Sequence, residues 1–229
     1  MARTAAVFFD VDFTLIHPGP RFQGSGYHAS CARHGVTVDP EAFEAAVSGS
    51  ASVLESTDDL YDPAIYLAYT RRIIELMGGQ GPGVAVVAQE IFDDWNEHHH
   101  FTLYDDVPAT LETLRAGGLR LGLISNTQRC LTSFQTHFEL QDLISVAISS
   151  SDHGYMKPHP SIFRAALEQM RVPADEAVMV GDSLVHDVLG ARRAGMRGVL
   201  LVRGGRARPA EAGIDVIGSL ADLPTLLSL

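Results

Sequence analysis

Two aspartates separated by one residue follow the first apolar run of the chain, in Phe9-Asp10-Val11-Asp12-Phe13-Thr14. In an extended backbone, residues two apart project to the same side, so Asp10 and Asp12 can share one site. Adjacent carboxylates repel each other and become tolerable beside a hard divalent cation. Asp182, in Gly181-Asp182-Ser183 after a later apolar run, offers a third oxygen ligand from elsewhere in the chain. Oxygen-only coordination suits magnesium, with phosphate completing the shell. Ser125 follows another apolar run, and Lys157 stands in the turn-like string Met156-Lys157-Pro158-His159-Pro160. Lys157 is the only lysine among 17 basic residues, a compact point charge where a planar guanidinium would be a different chemical object.

The elements that must position these groups are short apolar runs alternating with helical patterns. Ala5 to Phe9, Leu119 to Ile124, Val146 to Ser149, Ala177 to Val180 and Gly198 to Val202 read as buried strands. Pro108 to Ala116, Gln128 to His137, Pro158 to Met170 and Val185 to Ala194 read as helices, the last ended by Gly195. Ile214 to Ile217 adds an edge strand and Leu220 to Leu227 a closing helix. Such alternation predicts an α/β fold, a Rossmann-like parallel sheet with helices on both faces, in which ligands gather at the carboxyl ends of the strands. Residues 17–104 break the rhythm. Tyr27 to His34, Pro40 to Val47, Ala64 to Met77 and Val84 to His100 are helix-like, with no convincing strand, so an α-helical domain is expected over 17–104, inserted into a core of 1–16 and 105–229. The glycine-rich stretch from Gly78 to Gly83 lacks both a preceding strand and a following Gly-Lys-Ser/Thr, and reads as a helix-to-helix linker.

A chain of 229 residues with 46% hydrophobic content can bury a substantial core. Its formal charge of −11 and the lack of a basic run argue against nucleic-acid or anionic-membrane partners and leave small soluble substrates. Cys31 and Cys130 show no metal or redox spacing, and two lone thiols suit a reducing compartment. With no signal-peptide core and no membrane-length run, a cytoplasmic location is expected.

On these residues the chain resembles the haloacid dehalogenase superfamily. Asp10-Val11-Asp12-Phe13-Thr14-Leu15 is similar to its first motif, Ser125-Asn126 to its second and Lys157-Pro158 to its third. Gly181-Asp182-Ser183 with Asp187 is similar to its fourth. Order and strand-end placement agree over essentially the whole chain. The resemblance implies a magnesium-dependent phosphomonoester hydrolase with the helical insertion as a cap over the active site. Asp10 would be the nucleophile that forms an aspartyl-phosphate. Asp12 would serve as general acid and then general base. Magnesium would be held by Asp10, the backbone carbonyl of Asp12 and Asp182, with Asp187 a further ligand or an orienter. Ser125, Asn126 and Lys157 would bind the phosphoryl group, Lys157 also neutralising the nucleophile.

Neighbouring chemistries separate on the same residues. Haloacid dehalogenation has no alkoxide to protonate, and enzymes of that type lack the second motif-one aspartate, so Asp12 disfavours it. Phosphonate cleavage needs a cap lysine, which residues 17–104 do not contain. A phosphomutase, or a catalytically silent ligand-binding protein on the same scaffold, stays open as an alternative. His17 and Arg21, just past motif one, are candidate contacts to a small phosphorylated metabolite. Phe13 occupies a position that is most often glycine in this family, and an ordinary negative φ is expected there. Arg129 is expected at the surface. Consecutive helical residues point about 100° apart, so His98, His99 and His100 cannot converge on one ion.

Overall fold

The structure, a computed structural model, describes residues 3–54, 59–205 and 213–229. The domain ranges expected above also take in residues 1–2, 55–58 and 206–212, which lie outside the described residues. The chain forms two compact units, Met1–His17 with Leu103–Leu229, and Pro18–Thr102.

Eight strands run in chain order: β1 (Ala6–Phe9), β2 (Ile16–Pro18), β3 (Phe101–Leu103), β4 (Arg120–Ser125), β5 (Ile144–Ser149), β6 (Ala177–Gly181), β7 (Arg197–Leu201) and β8 (Asp215–Ile217). Six of them make one sheet of order β5-β4-β1-β6-β7-β8, parallel at every pairing. Val-, Ile-, Leu- and Phe-rich stretches such as Ala6–Phe9 and Ala177–Gly181 are buried at every position, as strands covered on both faces must be. Phe8, Ile162, Phe163, Met170 and Met179 belong to one buried cluster. Around the sheet run α5 (Val107–Ala116), α6 (Leu131–His137), α7 (Ser150–His153), α8 (Pro160–Met170), α9 (Gly190–Arg193) and α10 (Leu223–Leu226), preceded in the chain by α1 to α4 of the other unit.

That second unit holds α1 (Gly24–Arg33), α2 (Phe43–Ser50), α3 (Pro63–Leu76) and α4 (Gly83–Asp94). Helix α3 starts where proline is pre-organised for the first helical position, and the Asp62 carboxylate accepts from the amide of Ala64 at 2.9 Å. The unit has its own aromatic core. Phe22 lies 4.4 Å from Trp95 and 5.2 Å from Phe101 between ring centroids. None of the helices among the described residues is long and apolar enough to cross a membrane.

Local differences from the expected elements have physical reasons. The helix expected over Val84 to His100 stops at Asp94, where the chain turns so that Trp95 and Phe101 can both meet Phe22; His98–His100 form a separate 3₁₀ turn. The strands β2 and β3 were not expected, and at three residues each they are too short to show alternation. Instead of a regular helix over Val185 to Ala194, a wide π turn at Leu184–Leu189 precedes α9.

One polar junction ties distant parts of the α/β unit together. The Arg203 guanidinium donates to both Asp106 oxygens at 2.9 Å and to the Thr14 carbonyl at 2.9 Å, and it lies 3.8 Å from the Tyr104 ring centroid. Asp106 also accepts from the Ser219 hydroxyl at 2.6 Å and the Leu220 amide at 2.8 Å. Burial alone would raise the Asp106 carboxyl, but these donors hold it below the ordinary carboxylate range. A carboxyl depressed on folding contributes stability above its unfolded pKa and loses it as pH falls through the folded value. Asp106→Asn should therefore lower unfolding stability at neutral pH by about 1–3 kcal/mol. Urea midpoints followed against pH should show the gap to the wild type closing below about pH 4.

Candidate active site

Strand order places β1 between β4 and β6, so Ser125 at the carboxyl end of β4 and Asp10 and Asp182 just beyond the ends of β1 and β6 become neighbours at the switch in strand order. The Asp10 amide donates to the Val180 carbonyl at 2.9 Å, and the Thr14 hydroxyl lies 3.4 Å from Asp10 Oδ2. Lys157 Nζ donates to Asp10 Oδ1 and to Asp187 Oδ1, each at 2.6 Å, with the lysine 3% exposed. Asp187 reaches this position because the wide turn carries it back over the end of β6. Its second oxygen accepts from the Ser183 amide at 3.0 Å. Gly181 makes the approach possible, since a Cβ there would collide with the Asp187 carboxylate.

Asp10, Asp182 and Asp187 each offer an oxygen, all within 4.8 Å of one another. Three carboxylates face one ammonium, and the imbalance is legible in their acidities. Burial raises Asp10 well above the ordinary carboxylate range, with Asp187 and Asp182 adding repulsion against the pull of Lys157. Burial and the Asp187 charge push Asp182 up to about 7. Burial alone would lower the Lys157 ammonium, but Asp10 and Asp187 raise it above its ordinary value and keep it charged. The excess negative charge and the all-oxygen donor set suit a hard divalent cation.

Asp12 is not part of that group. Its carboxylate lies against Arg129 Nη1, 3.1 Å from one oxygen and 3.3 Å from the other. This overturns the expected surface position of Arg129, whose side chain is fully buried. The helix expected from Gln128 starts at Leu131, so residues 126–130 form a loop that can turn Arg129 inward. Asn126 makes a reciprocal fork with the third-motif loop, donating to the Lys157 carbonyl at 2.8 Å and accepting from the Lys157 amide at 2.6 Å. Both ends of its amide serve to position Lys157. Ser125 is buried at the end of β4.

Phe13 departs from the expected negative φ, standing at φ 62. The loop doubles back so that the Phe13 amide donates to the Ile16 carbonyl at 2.8 Å and the Leu15 amide to the Val11 carbonyl at 2.8 Å. That turn needs a left-handed residue, the role in which glycine is free of Cβ strain. The Phe13 ring is 43% exposed. The His17 ring lies tilted against the Tyr104 ring, 4.9 Å between centroids. Arg21 is engaged inside the helical unit, with Glu90 at 2.8 Å and with Asp94. His186 meets Ser183, with Nδ1 3.1 Å from the hydroxyl.

Residues 4–195 match the haloacid dehalogenase-like hydrolase family, and the chain belongs to it. A ribulose-1,5-bisphosphate 5-phosphatase of Halopiger xanaduensis is 30% identical over 95% of this chain and 98% of its own. Among solved structures, a phosphatase of the same superfamily from Thermococcus onnurineus superposes with a TM-score of 0.69 at 28% identity, covering 98% of each chain. A 2-haloacid dehalogenase from Pseudomonas syringae gives a TM-score of 0.64 at 26% identity, again over 98% of each.

Three substitutions follow from this geometry. Asn126→Ala removes the fork under Lys157 and should cost about 1–3 kcal/mol by chemical denaturation. Asn126→Asp keeps the acceptor for the Lys157 amide but sets a buried carboxylate oxygen against the Lys157 carbonyl oxygen, and should cost more. Phe13→Gly relieves a left-handed non-glycine residue and should raise stability by about 1 kcal/mol, read as a higher thermal midpoint.

Proposed function

We propose that the chain is a magnesium-dependent phosphoric monoester hydrolase that acts on a small phosphorylated metabolite through an aspartyl-phosphate. The observation that carries this reading is the buried Asp10 carboxylate held 2.6 Å from Lys157 Nζ, with a second motif-one carboxylate, Asp12, kept apart from the acidic cluster. The phosphatases of Halopiger xanaduensis and Thermococcus onnurineus, both similar over nearly their full length, support the same reading.

An oxygen of Asp10 attacks phosphorus while the bond from phosphorus to the ester oxygen breaks. Asp12 gives its proton to the departing alkoxide. It then takes a proton from the water that attacks the aspartyl-phosphate, and the bond from phosphorus to Asp10 breaks to release inorganic phosphate. Lys157 keeps its charge in place throughout, offsetting the nucleophile and a phosphoryl oxygen, and Ser125 donates a hydrogen bond to the same group. Asp10, Asp182 and the backbone carbonyl of Asp12 would hold magnesium, with Asp187 as a further ligand or as the group that orients Lys157. The cation supplies charge neutralisation between the anionic nucleophile and the anionic phosphoryl group. The inserted helical unit is assigned as the cap that selects the substrate.

The likeness to a dehalogenase favours a second reading, hydrolysis of a carbon–halogen bond by the same Asp10. Asp12 weighs against it, because halide departs without a proton. Phosphate release from a panel of phosphomonoesters, run beside halide release from 2-haloacids, decides between the two. We expect magnesium-dependent phosphate release, lost with chelator and reduced to background by Asp10→Asn. Halide release without phosphate release would establish the dehalogenase instead.

A further inference from the structure

Arg129 has no part in the mechanism above, yet it is among the largest fully buried side chains in the molecule. A buried guanidinium is costly unless paired, and Arg remains charged at all working pH values. It pairs with Asp12, a group whose side chain is 19% exposed. One nitrogen, Nη1, straddles both oxygens at 3.1 and 3.3 Å. The loop that delivers it is itself braced. The Arg129 amide donates to the Thr127 hydroxyl at 3.0 Å, and the Thr127 amide donates to the Ser150 hydroxyl at 3.0 Å. Ser125 and Arg129 lie four residues apart, so the end of β4 and the loop after it present both a hydroxyl for the phosphoryl group and a cation for the acid/base carboxylate.

We infer that Arg129 is a positioning residue that sets the orientation of the Asp12 carboxylate for proton transfer and holds it away from the Asp10, Asp182 and Asp187 cluster. This rests on the phosphatase reading. Asp12 has two duties there, one for its backbone carbonyl and one for its side chain. The carboxylate would otherwise be drawn to the same charge that attracts the other three. A cation supplied from the opposite loop separates the duties. The orientation matters because a proton-transfer group displaced by about 1 Å can lose about 10²-fold in rate.

The inference is tested by a double-mutant cycle on Arg129→Gln and Asp12→Asn, with p-nitrophenyl phosphate and an alkyl phosphate as substrates. The aryl leaving group departs without a proton, so its burst reports the first transfer independently of Asp12, and the rate after the burst reports aspartyl-phosphate breakdown. Arg129→Gln should leave the p-nitrophenolate burst in place while slowing breakdown by about 10²-fold, with turnover of the alkyl ester falling as well. In the Asp12→Asn background the same substitution should change breakdown by less than about 2-fold, since two residues acting through one group are not additive. Arg129→Lys keeps the charge and should restore part of the loss. It also serves as the readable variant should Arg129→Gln fail to show a cooperative thermal transition. Equal losses in burst and breakdown, or an undiminished Arg129 effect in the Asp12→Asn background, would overturn the inference and leave Arg129 a structural residue. Wild-type turnover by Asp12→Asn alone would overturn the inference by removing the acid/base role of Asp12, whereas no turnover of either ester by the wild type would bring down the phosphatase reading on which it rests.

Discussion

The ammonium of Lys157 is the charge around which the site is assembled. Oxygens of Asp10, Asp182 and Asp187 crowd within 4.8 Å of one another at the carboxyl ends of the central strands, where water screens the buried Asp10 and Asp187 poorly. Lys157 contacts two of the three at 2.6 Å. Removing one partner of such a buried pair costs about 3–5 kcal/mol because it leaves an uncompensated charge. Much of the nearby architecture serves to keep that ammonium in place. The Asn126 fork fixes the Lys157 backbone from the neighbouring loop, and the wide turn after β6, with Gly181 beneath it, brings Asp187 to the other side. One lysine cannot balance three carboxylates, and the raised carboxyl pKa values of Asp10 and Asp182 express the positive charge that a divalent cation would supply.

A second cation, Arg129, divides the acidic residues into two groups. Asp12 is only two residues from Asp10 in sequence, yet its carboxylate is committed to the opposite loop. The site thus separates a cluster of three carboxylates around an ammonium from a single carboxylate paired with a guanidinium. Environment rather than residue type makes these aspartates different. The helical unit repeats the pattern for structural ends. Arg21, Arg33 and His34 converge on Glu90, and these partners pull its carboxyl below the ordinary range against the opposing effect of burial. With that network and the Phe22, Trp95 and Phe101 cluster, the insertion carries its own core.

Much of the fold was legible because its signals are local. Apolar runs bounded by polar residues marked β1, β4, β5, β6 and β7, and the alternation with helices implied a parallel sheet with its chemistry at the strand ends. Two-residue spacing singled out Asp10 and Asp12, and the lone lysine singled out Lys157. Elements shorter than one period, β2 and β3, carried no such signal. Nor did the helix interruption after Asp94, which depends on Phe22 lying in reach of both Trp95 and Phe101.

The set of chemical groups and the strand ends that carry them are written along the chain, because composition and periodicity are properties of neighbours in it. Tertiary structure decided how those groups are paired. The inward turn of Arg129 onto Asp12, the reciprocal fork between Asn126 and Lys157, and the left-handed backbone at Phe13 all depend on loops from separate strands meeting in space. A charge buried by such a meeting looks, in sequence, the same as one on the surface. Only the folded chain, by excluding water from one position and not the other, makes the two different.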